Sequence, residues 1–173
     1  MNISFYNSDK VKSKITTNEM REACKFFINL LMDKNDYNSL QIDVGFVNHM
    51  LKERNHEGES YPEDLESFNW FTINIDPSIS RKNILLTLAH EMVHIKQYVM
   101  RELQETGNSD ITKWKGKKVD DTVINYWDLP WEIEAHGREK GLYHRYVENQ
   151  KTKGKAKSNR KILKQSSLQA AGC

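Results

Sequence analysis

The chain reads as an α+β domain, a small mixed sheet packed on helices, and three patterns predict it. Leu40 to Val47 alternates apolar and polar residues in the manner of a half-buried strand. Phe68 to Ile75 is rich in aromatic and β-branched residues, which suit a pleated, packed surface. Two other segments repeat apolar residues at helical spacing, and the longer carries Ile84, Leu85, Leu88, Met92, Ile95 and Val99 on one stripe. At 173 residues the chain suits one domain with a core large enough to need no disulfide staples.

Ile3 to Tyr6 alternates weakly and is expected as a first strand, 3–6. Thr16 followed by Glu19 has the spacing of a capping box, and Met20, Ala23, Cys24, Phe27, Leu30 and Leu31 continue as one apolar stripe, which predicts a helix over 17–33. Asp33 to Asp36 breaks it ahead of the strand 40–47. The polar stretch 55–64 contains Gly58 and Pro62 and reads as a loop, and the strand 68–75 stops at Asp76 and Pro77. A long helix is predicted over 81–105. Residues 106–129 include Gly107, Asn108 and Gly116 and show no helical stripe, so a long loop is expected there, with a short hairpin around Gly116. Pro130 is placed to open a helix over 131–148, in which Gly137 and Gly141 either admit a close neighbour or are merely tolerated.

The net charge of +2 conceals two different materials. Residues 149–173 hold seven Lys or Arg and no acid, whereas the residues before them hold nineteen basic and twenty-four acidic side chains. A folded domain over 1–148 and a basic, unstructured tail over 149–173 are therefore expected, with Ile162, Leu163 and Leu168 able to form a transient helix. Cys24 falls on an apolar stripe and is expected as a buried filler, while Cys173 is expected as an exposed thiol. No disulfide framework follows, which fits a reducing cytoplasm. No apolar stretch is long enough to span a bilayer, and Met1 to Phe5 lacks a charged region leading into an apolar core, so no membrane partner is expected.

Chemistry concentrates in His90-Glu91-Met92-Val93-His94, an H-E-x-x-H pattern on the long helix. Residues four apart share a helix face, so both imidazoles can reach one ion while Glu91, one step round, reaches a water beside it. Two imidazoles in an apolar helix are costly to bury unless their ring nitrogens are bonded, which a metal or a satisfied core accomplishes. Neither cysteine is spaced as a ligand, and His49 and His56 lie in or beside a polar loop and are expected to be solvated. A third ligand must come from a separate element, and the helix at 131–148 offers Glu132 and Glu134. Residues two apart on a helix point about 160° away from one another, so only one of them can serve.

H-E-x-x-H followed downstream by a helix bearing Glu132-Ile133-Glu134-Ala135 resembles the gluzincin metallopeptidases. Within them it resembles the compact minigluzincin type, which includes SprT-like and repressor-cleaving peptidases and many small phage-encoded proteins. The resemblance spans Leu85 to Glu148 and departs from thermolysin-type members in the longer gap between His94 and Glu132 and in a histidine at position 136, where an acid or amide is usual. It implies a zincin-like fold, a Zn2+ ion held by His90, His94 and Glu132, and Glu91 as general base toward a zinc-activated water. It further implies His136 in the position that orients a zinc-bound histidine, and Glu134 turned away and kept as the fallback ligand. The implied activity is zinc-dependent hydrolysis of a peptide or protein substrate, in a host cytoplasm if the chain is phage-encoded. Such enzymes commonly add a Tyr or His donor toward the oxyanion. Tyr143, three turns beyond Glu132, is the expected residue, with His144 and Tyr126 as alternatives. The alternative function is a metal-stabilised binding or regulatory protein acting on nucleic acid through the basic tail.

Overall fold

A computed structural model describes residues 1–7, 14–106 and 110–170, with side chains in the last helix described up to 156 and at 158. The elements in order are β1 (Asn2–Tyr6), α1 (Thr17–Leu31), α2 (Lys34–Tyr37), β2 (Gln41–Phe46), α3 (Met50–Arg54), β3 (Gly58–Pro62), β4 (Trp70–Ile75), α4 (Arg81–Val99), β5 (Leu103–Glu105), β6 (Ile111–Trp114), β7 (Lys117–Asp120), a one-turn 3-10 helix (Tyr126–Asp128) and α5 (Pro130–Ala170). The fold is mixed α+β, and the described residues form one four-stranded sheet and one three-stranded sheet. Among the described residues no helix is long and apolar enough to cross a membrane.

The larger sheet runs β1-β2-β4-β3, with β1, β2 and β4 parallel and β3 antiparallel on the outer side of β4. The alternation in the sequence fixes the register: Ile42 pairs with Phe71, Val44 with Ile73 and Phe46 with Ile75, and all six are buried on the face that meets the helices. Against them pack Met20, Ala23, Cys24, Phe27 and Ile28 of α1 and Ile84, Leu85, Leu88 and Met92 of α4. The expected cap forms, since Thr16 Oγ1 accepts from the Glu19 amide at 3.1 Å. Cys24 is the predicted filler, and burial pushes its thiol up to about 12. Cys173 lies outside the described residues.

Several boundaries differ from expectation for identifiable reasons. The stretch 55–64 is not a loop but carries β3. An edge strand with one neighbour needs no apolar alternation, and Pro62, which has no N–H, is tolerated there. At Gly58 this strand passes so close to α4 that a Cβ would stand 2.4 Å from Thr87 Cγ2. Helix α4 ends at Val99 rather than 105, because Arg101 takes a left-handed φ of 57° and Leu103 enters a second small core with Leu129 and Trp131. The hairpin around Gly116 is present as β6 and β7, turned by Lys115 and Gly116 at φ of 48° and 80°. Gly107 and Asn108 of that region lie outside the described residues.

Helix α5 is anchored by Ala135, Leu142 and Tyr146 in the main core, Tyr146 lying 5.6 Å and 5.7 Å from the rings of Phe26 and Phe27. It then continues through the segment expected to be unstructured, as far as Ala170. Once a packed section has nucleated a helix, each further residue adds a hydrogen bond at little cost, and Lys, Arg, Gln, Ala and Leu favour that continuation. Gly137 and Gly141 face open space and so mark no close helix contact.

Candidate metal centre

Helices α4 and α5 pack against each other so that the first turns of α5 face the second half of α4. His90, His94 and Glu132 bring one donor atom each into a group whose members lie within 4.8 Å of one another. The two Nε2 atoms stand 3.0 Å apart, with Glu132 Oε2 at 3.3 Å from His90 Nε2 and Oε1 at 3.5 Å from His94 Nε2. These side chains are almost enclosed, with 10%, 11% and 10% of their surface exposed for His90, His94 and Glu132. Three donors bound at about 2.0–2.1 Å to one tetrahedral ion lie roughly 3.3 Å apart, so the observed spacing and the N, N, O donor set both fit a metal. Buried His and Glu groups here can therefore hold an ion.

The two acids differ in what each touches. Glu134 turns to the other side of α5, where it accepts from Lys96 Nζ at 3.0 Å, Gln97 Nε2 at 3.1 Å and Arg138 Nε at 2.9 Å. It is a clamp between the helices. Glu132 instead accepts from the Tyr126 hydroxyl at 2.7 Å and faces the two histidines.

Burial opposes charge on every member of the cluster, but the pairings outweigh it. Glu132 and Glu139 raise His90 to about 10. Glu132 likewise raises His94. In return His90 and His94 hold the Glu132 carboxyl well below the usual range, and His90 does the same for Glu139.

Two expectations about the surroundings are corrected. His136 is not the group that orients a ligand histidine. That group is Glu139, whose Oε2 lies 3.0 Å from His90 Nδ1 and 3.3 Å from His136 Nδ1. Glu139 is two turns beyond Glu132 on the same face, and the stripe 132, 136, 139 was the signal that locates it. Tyr143 is not at the cluster. Three turns beyond Glu132, about 16 Å along the helix, it packs at the margin of the main core beside the exposed ring of His144. The phenol that reaches the centre is Tyr126, whose hydroxyl is pushed up by burial and by Glu132.

Glu91 is buried, and its Oε2 accepts from the Ser60 hydroxyl of β3 at 2.7 Å. Ser60 gave no sequence signal because its segment lacked strand alternation. Gln97 was also unmarked: fully buried, it holds His94 Nδ1 with Oε1 at 2.9 Å and donates to the Trp131 carbonyl at 3.0 Å. His49 and His56 stand apart from the cluster, His49 ahead of α3 with a φ of 68° and His56 at 3.5 Å from Glu59.

No protein-family model matches the chain, and neither does any curated protein or solved structure. The assignment of function rests on the cluster itself.

Proposed function

We propose that the chain is a zinc-dependent metallopeptidase of the gluzincin type with a zincin-like fold, in which His90, His94 and Glu132 hold Zn2+ and Glu91 is the general base. The observation that carries this reading is the convergence of two imidazoles and one carboxylate from separate helices, with a further buried carboxylate one residue along from His90. When bound, a zinc ion supplies a Lewis acid that polarises a carbonyl and acidifies water at neutral pH.

The residues of the chain divide the remaining work. Ser60 fixes one oxygen of Glu91, leaving the other to take a proton from the attacking water and return it to the leaving amine. Strand β3, which carries Ser60, is the outer strand of its sheet and among the described residues pairs with β4 alone. An extended peptide can add to such an edge through main-chain hydrogen bonds, which would lay its backbone beside Glu91. The Tyr126 hydroxyl, 2.7 Å from Glu132, is the nearest phenolic donor for charge developing on a substrate carbonyl.

The test is a pair of measurements on purified protein. The wild type is expected to hold close to one zinc per chain and to cut a proteome-derived peptide library, and Glu91→Gln to keep the zinc and lose the cutting. Undiminished cleavage by that variant would overturn the assignment.

A second reading is favoured by one observation: the basic segment after 149 continues α5 as a helix rather than trailing from it. A metal-stabilised module could use those seven cations to bind nucleic acid through phosphates. Its affinity for duplex DNA would then fall steeply between low and physiological salt, and an unchanged anisotropy signal across that range would dismiss it.

A further inference from the structure

His90 belongs to two groups of possible ligands. Its Nε2 faces His94 and Glu132, while its Nδ1 faces a second group made with His136 and Glu139 of α5. Glu139 Oε2 lies 3.0 Å from His90 Nδ1 and 3.3 Å from His136 Nδ1. One donor atom from each of these three side chains falls within 4.8 Å of the others. The separations match those of the first group, so two nitrogens and a carboxylate oxygen again fit a divalent ion.

The two groups cannot both be filled. A neutral imidazole has one lone pair and one N–H, so His90 gives Nε2 to an inner ion or Nδ1 to an outer one. Whichever nitrogen is left carries a proton, and a metal-bound histidine almost always donates that N–H to a carboxylate or carbonyl. Each side of the ring has its carboxylate, Glu139 at 3.0 Å from Nδ1 and Glu132 at 3.3 Å from Nε2. Each glutamate is therefore a ligand in one arrangement and a hydrogen-bond acceptor in the other. His136 repeats the pattern: its Nδ1 meets Glu139, while its Nε2 is buried with no partner among the described residues and lies 4.0 Å from Glu132 Oε2. A buried ring nitrogen left bare is costly. With Nδ1 on an ion, that Nε2 would carry the proton and face Glu132.

Access separates the two groups. His90, His94 and Glu132 expose 10%, 11% and 10% of their side chains, whereas His136 and Glu139 expose 33% and 16%. The Trp127 ring lies 4.9 Å from that of His136, and Trp127 is itself 66% exposed on the one-turn helix before α5. The outer group is the one nearer to solvent.

We propose that His90, His136 and Glu139 form an outer zinc site, filled in place of the inner one, through which the ion is loaded. This rests on the metallopeptidase reading for the destination of the ion. As the ion passes inward, His90 exchanges Nδ1 for Nε2 as its ligand atom. The proton on Nε2 goes to water and one from water takes Nδ1, so no proton is gained or lost.

The full-length variant His94→Ala/Glu132→Gln isolates the outer site. It is expected to bind one zinc per chain, well over roughly tenfold more weakly than the wild type. Long-range proton–nitrogen NMR should show the ring nitrogens of His90 and His136 shifting together, and adding His136→Ala should abolish the binding. Zinc that leaves His136 unshifted, or binding that survives His136→Ala, overturns the outer site. The wild type at saturation is expected to hold one zinc with His90 and His94 shifted, and two zinc ions would overturn the shared use of His90. Stopped-flow kinetics of His136→Ala alone decide the loading role whether or not the double variant folds. Losing a ligand on the path should slow zinc uptake and release alike by about tenfold or more, with the affinity within a few fold. Uptake at the wild-type rate overturns loading. A wild type that takes up no zinc overturns this inference and the metallopeptidase reading together, whereas one that binds zinc and cuts no peptide overturns that reading alone.

Discussion

Alanine at Glu132 and alanine at Glu134 are expected to separate on zinc affinity, because one acid faces the cavity and the other clamps the helices. Glu134 accepts from Lys96, Gln97 and Arg138. Arg138 is half exposed, so its pairing contributes little. Lys96 is 10% exposed and retains Glu102 at 2.5 Å, and Gln97 retains the Trp131 carbonyl, so neither is stranded when Glu134 is lost. The net loss is one buried charged hydrogen bond and one to a charged acceptor, together about 3–6 kcal/mol. For a chain of this size that corresponds to a fall in Tm of roughly 6–24 °C. Zinc affinity should stay within a few fold. Glu132→Ala removes a ligand instead, which should weaken zinc binding by more than the roughly 10- to 100-fold associated with losing an orienting group. The Tm of its metal-free form should fall as well, because Glu132 pairs with both histidines and accepts from the Tyr126 hydroxyl, and those pairings outweigh its burial. Chelator competition measures the first quantity and circular dichroism melting in excess chelator the second. If Glu134→Ala lost zinc while Glu132→Ala kept it, the assignment of ligand and clamp would be reversed and the reasoning refuted.

Glu139→Ala, which frees both His90 and His136, should lower zinc affinity about 10- to 100-fold by competition titration, and a change under twofold would show that it orients neither. Because His90 is raised to about 10, the metal-free protein carries a proton there at neutral pH that zinc must displace. Calorimetric heats of zinc binding should therefore differ between buffers of unlike ionisation enthalpy, and equal heats would contradict a protonated His90. Gly58→Ala places a methyl 2.4 Å from Thr87 Cγ2 and should cost about 1–3 kcal/mol in urea unfolding. Thr87→Ser removes only that methyl while keeping the hydroxyl bond to Glu57 at 3.1 Å, so the double variant should recover most of the loss, and simple additivity would show that the contact is not what resists the methyl.

The parts of the fold legible in the sequence were those whose signal is local. The stripe from Met20 to Leu31, the alternation from Leu40 to Val47 and the Lys115-Gly116 turn each specify their element through residues a few positions apart. Strand β3 escaped notice because it exists through its partner: Gly58 to Pro62 carries no apolar face, and only pairing with Phe71 to Ile75 makes it a strand. The end of α4 was hidden for a related reason, since Leu103 fits the helical stripe but is claimed by Leu129 and Trp131 from a segment far along the chain. At the candidate metal centre the spacing of His90, Glu91 and His94 is a local signal too, the two histidines standing four apart on one helix face. Tyr143 shares a helix face with Glu132 but lies about 16 Å further along the axis, and Ser60 reaches Glu91 from 31 residues away, whereas Gln97, three residues after His94 on the same helix, and Tyr126, already an alternative and six residues before Glu132, lie close to the cluster in sequence.

The helix clamp also bears on how the centre can be assembled before any ion arrives. Imidazoles and carboxylates crowded into a dry cavity repel, or need protons, so ligand residues alone give a poor reason for α4 and α5 to meet. One turn beyond His94 the chain supplies a better one: Gln97 donates to the Trp131 carbonyl, and Lys96 bridges Glu102 and Glu134. Gln97 holds His94 Nδ1 with its carbonyl oxygen while its amide grips α5, so one side chain sets both the imidazole and the spacing of the helix that carries Glu132. Apolar packing of Ala135 and Leu142 supports the same approach from further along α5. The approach of the two helices is thus set by Gln97, Lys96, Ala135 and Leu142, side chains that are not themselves among the three candidate donors.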